Sequence, residues 1–309
     1  MNTGLWLSTC YKIAVSMEIT SAATVRQYSR VNTVLWLQVA ALAAIVAALY
    51  WTILPDLAVE WWTEETSSYG MLVPPLALYI AFQRRRVTQS FPAQPDPRGI
   101  WLIGAACTLF LVGGLAAEFF LSRISFVLLL AGLCWTFWGW ARFRTLLFPF
   151  VLLATMVPLP AIVFTAIASP LQLFASTMAT NCAQWLGVSI YRDGNIIYLA
   201  NTSLGVAEAC SGLSSLSSLV VASLLLGFLE NLTIPARILL FVLSIPLAIL
   251  VNVVRVTGTA LLADYEPSFA MGFYHLFSGW LVFVVGFGML WLLAKVIFHW
   301  TRARIPAYV

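Results

Sequence analysis

The chain of 309 residues is 61% hydrophobic and only 9% charged, with a mean hydropathy of +0.93. Soluble domains carry about 25% charged residues, so a soluble globular protein is excluded and a polytopic membrane protein is expected. The 16 Lys and Arg exceed the 12 Asp and Glu, for a net charge of +4, but the basic residues lie in short loops between apolar runs. That pattern reads as topology and gives no reason to expect a nucleic-acid partner.

Residues 1–30 are moderately polar, with Lys12, Arg26 and Arg30, and lack the basic–apolar–small arrangement of a cleaved signal peptide. Met17 is a second candidate start. A first span runs from about Val34 to Leu54, followed by an acidic, aromatic loop with Asp56, Glu60, Trp61, Trp62, Glu64 and Glu65. Ser68-Tyr69-Gly70-Met71-Leu72-Val73-Pro74-Pro75 leads into a short second span ending at Arg84-Arg85-Arg86. Proline is tolerated at a helix start, where its missing N–H costs nothing. The Pro-rich stretch 87–98 is a loop. Further spans are predicted over about Ile100–Phe120, Ile124–Trp140 and Leu146–Leu159, the last ending in Val157-Pro158-Leu159-Pro160.

Residues 161–187 are apolar but broken by Pro170, Gln172, Asn181 and Gln184, with Leu171, Phe174, Met178 and Trp185 at roughly helical spacing. They read as an amphipathic helix at the interface, partly re-entrant, with a further full span as the alternative. Two β-rich runs surround Asp193-Gly194, a hairpin signal. Three more spans follow over about Ala209–Leu229, Ile238–Leu262 and Met271–Ala294, with Pro246 expected to kink the second. The fold class is therefore all-α and polytopic: about eight transmembrane helices, an interfacial amphipathic helix and a small periplasmic β-hairpin. One membrane domain covers 31–298, between a cytoplasmic N-terminal segment (1–30) and a cytoplasmic tail (299–309).

Loop charge sets the orientation. With the N-terminus in the cytoplasm and 161–187 kept outside, the cytoplasmic segments hold Lys12, Arg26, Arg30, Arg84, Arg85, Arg86, Arg98, Arg142, Arg144, Arg237, Lys295, Arg302 and Arg304. The outer segments collect Asp56, Glu60, Glu64, Glu65, Glu118, Asp193, Asp264 and Glu266, and only Arg123, Arg192 and Arg255 fall outside the basic side. Helix rise then sets depth. Counted from their cytoplasmic ends, Cys210 and His275 lie roughly 13 Å above the midplane and Arg255 roughly 10 Å. All three are on the outer side, where antiparallel helices can bring them together.

The five cysteines, Cys10, Cys107, Cys134, Cys182 and Cys210, show no CxxC spacing, so neither a metal site nor a disulfide framework is indicated. Cys107 and Cys134 read as small core residues. His275 and His299 are the only histidines, and His299 lies at the cytoplasmic end. An arginine within a span is costly and usually functional; snorkelling, or a structural pair with Glu208, is the bland reading of Arg255. Cys210 near a helix N-terminus is favoured as a thiolate. With His275 as acid and base and Arg255 stabilising the thiolate or an oxyanion, the implied chemistry is acyl transfer through a thioester. Water as acceptor makes a protease, an amine a transpeptidase. Glu208 and Asn252 are possible supporting residues.

Val206-Ala207-Glu208-Ala209-Cys210-Ser211-Gly212-Leu213, Asn252-Val253-Val254-Arg255 and His275, in this order, resemble the motif set of the exosortase/archaeosortase family. The resemblance extends to Tyr69-Gly70, Leu72-Val73-Pro74-Pro75, Val157-Pro158-Leu159-Pro160 and Arg192-Asp193-Gly194-Asn195, and covers about residues 35–295. One departure is Ser67-Ser68-Tyr69-Gly70, where many members read Tyr-Ser-His-Gly. The resemblance implies a cysteine transpeptidase-like enzyme of the bacterial inner membrane, without a cofactor, with Cys210 as nucleophile, Arg255 as transition-state stabiliser and His275 as general acid/base. Its implied partners are membrane lipid and exported proteins with a C-terminal sorting signal. That signal has a short motif such as Pro-Glu-Pro, one membrane helix and a basic cluster, and such systems accompany exopolysaccharide production. The alternatives are a non-enzymatic component of exopolysaccharide export and a lipid-dependent acyltransferase. The residues leave the oligomeric state open.

Overall fold

A computed structural model describes residues 36–199, 203–205, 213–266 and 272–302, the side chains of 272–276 and 302 excepted. The chain divides into two compact units, residues 1–55 and 56–309. The described part of the first carries α1 (Trp36–Leu49). After α2 (Ile53–Thr63), which begins at the division, the second unit holds a 3-10 turn (Ser68–Leu72), α3 (Val73–Gln83), α4 (Arg85–Ser90), α5 (Gly99–Leu115), α6 (Phe119–Thr145), α7 (Leu147–Ala154) and α8 (Ala161–Trp185). Strands β1 (Tyr191–Asp193), β2 (Ile196–Tyr198) and β3 (Ser203–Gly205) follow, then α9 (Leu213–Leu229), α10 (Ile234–Tyr265) and α11 (Gly272–Arg302).

Among the described residues four helices are long and apolar enough to cross a membrane: α6, α8, α10 and the 277–301 part of α11. Counting 36–49 and 53–63 as one broken span would make five. The expected number was about eight. The 17-residue helices α5 and α9 are apolar but shorter. Helix α3 has 11 residues and α7 has 8, about 16 and 12 Å of rise against a hydrocarbon core of about 30 Å. Neither crosses by itself. The physical reason is local: α3 cannot start before its proline pair, and α7 unwinds into turns before Pro158, so an apolar run is longer than the helix it contains. Helix α8, expected at the interface, has the length and hydropathy of a span as well.

Helices α5 and α6 form an antiparallel pair whose close approach is set by glycine. A Cβ at Gly132 would lie 2.8 Å from the Ile103 side chain, and one at Gly99 or Gly113 would collide with Thr136 or Ser122. Small residues let helix backbones approach in this way where lipid supplies no hydrophobic drive. Helix α6 breaks at Gly139, whose φ of +80° and ψ of 167° are not helical, and whose missing Cβ makes room for the Gln94 carbonyl. The 91–98 loop is held to α6 by Asp96. Its carboxylate accepts from the Arg98 backbone N–H (3.0 Å) and the Trp135 indole N–H (3.0 Å). These two bonds and the Arg98 charge hold its pKa below the usual carboxylate range.

The expected hairpin is present and is part of a three-stranded antiparallel sheet in the order β1-β2-β3. Asp193 pairs with Ile196, so the two-residue loop is Gly194-Asn195, one position beyond the Asp-Gly signal. Gly194 supplies the positive φ (+61°) that such loops need. The sheet buries Ile190, Ile197, Leu199 and Leu204 against Ala179 and Ala183 of α8 and Val256, Ala260 and Ala263 of α10. Helices α9, α10 and α11 pack on one another around Leu219, Leu240, Val251, Leu290 and Ala294. Gly286 lets Leu219 and Val251 meet α11 at one level.

Gly132→Val should wedge α5 from α6 and destabilise the fold by about 1–3 kcal/mol, read as a lowered thermal midpoint in detergent. Gly104→Val, where an added Cβ meets nothing within 4 Å, should leave the midpoint within about 1 °C of wild type.

Candidate functional site

Charge divides the 56–309 unit into two ends. At the basic end, Arg84 and Arg237 lie over Phe228, and Lys295 pairs with Glu230 at 2.8 Å. At the acidic end lie Asp56, Glu60, Glu64 and Glu118, and the sheet caps the last three turns of α10. Among the described residues the two arginines expected apart from the basic side, other than Arg255, have local partners there. Arg123, 8% exposed, pairs with Glu60 at 2.6 Å, and the Arg192 guanidinium donates to the Gly194 carbonyl at 2.5 Å.

Arg255 is buried, at 8% exposure, in the interior of α10, with Asn252 one turn earlier at 2%. Its guanidinium lies against the backbone of α11. A Cβ at Gly279 would come 3.0 Å from its Nη2 and 3.3 Å from its Cζ. Gly279 is four residues after His275 in the same helix, and positions i and i+4 of a helix share a face. Position 275 is thus one turn from the guanidinium, on the face it touches. The His275 side chain itself lies outside the described residues, as do Cys210, Glu208 and the rest of 206–212. Their ends are described: β3 stops at Gly205 on the sheet, and α9 resumes at Leu213 beside α10. Val256, next to Arg255, is packed against that sheet. His299 is exposed on α11, near Lys295.

A second feature of the acidic end follows from Tyr69-Gly70. The Trp61 indole occupies the space a Cβ of Gly70 would take, and its Nε1–H donates to the Met156 carbonyl at 3.0 Å. The indole thus joins α2, the 3-10 turn and the stretch before Val157-Pro158. The neighbouring Tyr69 hydroxyl interacts with the Ser217 side chain of α9. Beside this platform opens a cavity of about 780 Å³, lined by Glu60, Glu64, Ser67, Glu118, Arg123 and Pro158 among others. No group of three or more His, Cys, Asp or Glu among the described residues is placed to hold a metal ion.

The sequence singled out Arg255 and, through its motif, Tyr69-Gly70. It missed Gly279, Trp61 and Ser217. Gly279 carries no local signal, since α11 also holds Gly272, Gly286 and Gly288. The Trp61 and Ser217 roles depend on tertiary packing that no local pattern encodes.

A family model described as transmembrane exosortase (Exosortase_EpsH) matches residues 61–292. That interval takes in Trp61, Tyr69-Gly70, the sheet, Arg255 and Gly279. No curated protein and no solved structure matches the chain.

Trp61→Phe removes the indole donor and leaves the Met156 carbonyl without it. The expected cost is about 1 kcal/mol. Gly70→Ala drives a methyl into the indole and should cost about 1–3 kcal/mol. Chemical unfolding followed by tryptophan fluorescence checks both, with Gly70→Ala the more destabilised.

Proposed function

Because the chain belongs to the transmembrane exosortase family, we propose that it is a membrane-embedded cysteine peptidase/transpeptidase that cleaves C-terminal sorting signals of exported proteins through a thioester. The observation that carries this reading is the buried guanidinium of Arg255 against Gly279, one turn from position 275. The connection from β3 to α9 adds to it. Cys210 is three residues before Leu213, which tethers it within about 11 Å of the first described turn of α9. The strand preceding it leaves a sheet packed on Val256.

In this reading the Cys210 thiolate attacks the carbonyl carbon of the scissile peptide bond, and the carbonyl oxygen takes the negative charge of the tetrahedral intermediate. Arg255 stabilises that oxygen and favours the thiolate over the thiol. His275 carries the thiol proton and passes it to the amine leaving group as the C–N bond breaks. A thioester remains on Cys210. Water or an amine then attacks it, His275 takes the proton of that nucleophile, and the thiolate is regenerated. Gly279 is the position that lets the guanidinium come close to α11.

The loop charges favour an inner-membrane protein with both termini in the cytoplasm and the site at the outer face. A substrate with one membrane helix and a cytoplasmic basic cluster would present its sorting motif at that level. In an eight-crossing arrangement the short helices α3 and α7 would rely on their neighbours and on local thinning of the bilayer.

Cys210→Ala is expected to abolish processing of a co-expressed sorting-signal substrate, read as accumulation of its full-length form. Arg255→Lys keeps the charge but loses the planar fork and should lower turnover by about 100-fold or more. Gly279→Ala moves only the tip of a flexible side chain. It should lower turnover by about 10-fold with an unchanged thermal midpoint. Undiminished processing by Cys210→Ala would sink the mechanism.

A further inference from the structure

The basic end carries an arrangement that the proposed chemistry does not use and on which this inference does not depend. Phe228, buried near the end of α9, has one ring face covered by Phe148, at 4.0 Å between centroids and 3° between planes. The Arg84 guanidinium lies over the ring at 4.6 Å and that of Arg237 at 5.7 Å. With Phe148 on one face, both cations are confined to the other, no more than about 10 Å apart. They come from different elements: Arg84 from the α3–α4 junction, Arg237 from the first turn of α10.

Each guanidinium is fixed by a backbone carbonyl. Arg237 Nε donates to Leu232 at 2.8 Å, and Arg84 Nη1 reaches Thr145 at 3.5 Å. Neither has a carboxylate partner among the described residues. The nearby carboxylate, Glu230, is held by Lys295. Both arginines are half-buried, and Arg85 and Arg86 beside them are exposed. Two like charges are thus gathered on one aromatic face, oriented by the backbone, with most of their N–H groups unspent.

We infer that Arg84 and Arg237, on the face of Phe228 opposite Phe148, form a binding site for a phosphate group. A phosphate oxygen set between two guanidiniums accepts from both and neutralises a repulsion that the fold otherwise sustains. At the basic end of a membrane bundle the phosphate of an anionic lipid headgroup is one source and free inorganic phosphate the other. A phosphate there links α3–α4 to α9 and α10, which makes it a staple across the end of the bundle opposite Arg255.

The test uses the full-length chain purified in a neutral detergent, with phosphatidylglycerol, phosphatidylcholine or inorganic phosphate added separately. Bound lipid is counted by native mass spectrometry, and stabilisation by the thermal midpoint. Phosphatidylglycerol is expected to stay bound through Arg84 and Arg237, with R84Q/R237Q weakening it by about 30-fold and R85Q/R86Q by no more than about 3-fold. A midpoint rise produced by inorganic phosphate alone and lost in R84Q/R237Q supports the same site with the free ion as its occupant. Should R84Q/R237Q fail to fold, R84K/R237K keeps the charges and should still lose binding several-fold. Retention of both probes at wild-type strength in these variants, an equal loss in R85Q/R86Q, or equal retention of phosphatidylcholine would overturn the assignment.

Discussion

A guanidinium inside an apolar bundle must be given a place, because on the lenient insertion scale it costs about 2.5–3.5 kcal/mol at the centre of a span. Arg255 has that place. It lies deep in α10, one residue before the packing of the sheet begins, and its head rests on the bare backbone of Gly279. A side chain of any size at 279 would occupy that space. The acidic end of the protein is built around this constraint. The sheet covers α10 beyond Val256, and the α9–α11 packing at Leu219, Val251 and Gly286 fixes the level of Arg255 from below.

The same economy of size holds the other half of the unit together. Glycines let α5 lie on α6 and let Trp61 lie on Gly70. In lipid, helices gain nothing from burying leucine against leucine, so contact distance decides association. Charge then sorts the ends. Cations collect where α3, α9, α10 and α11 meet at Phe228 and Glu230. Carboxylates line the cavity at the other end, where Arg123 is the neutralising partner of Glu60.

Sequence and structure agree where the determinant is local. Asp193-Gly194 announced a hairpin because turn geometry depends on one or two residues, although the loop proper begins at Gly194. The strand at Ser203–Gly205 was not legible, since three residues acquire a strand conformation only by pairing with Ile196–Tyr198. Apolar runs located the helices but not their lengths: prolines at 74 and 75, and turns before Pro158, cut α3 and α7 short of a crossing. The interval 161–187 was divided between an interfacial helix and a span, and the 25-residue helix there has the dimensions of a span. At the site, Arg255 was conspicuous because a charge in a hydrophobic run is rare. Its neighbour Gly279 was silent because a glycine in a membrane helix is common.

The proposed mechanism requires that Cys210 form the covalent intermediate within reach of Arg255 and position 275. The most direct measurement is acid-quenched peptide mapping of the purified chain during turnover of a sorting-signal substrate. A thioester is expected between the upstream part of that substrate and the peptide containing Cys210, absent from Cys210→Ala and discharged by hydroxylamine. Continued cleavage with the acyl group on another residue, or with no acyl-enzyme at all under conditions that trap one in a known thiol peptidase, would contradict it.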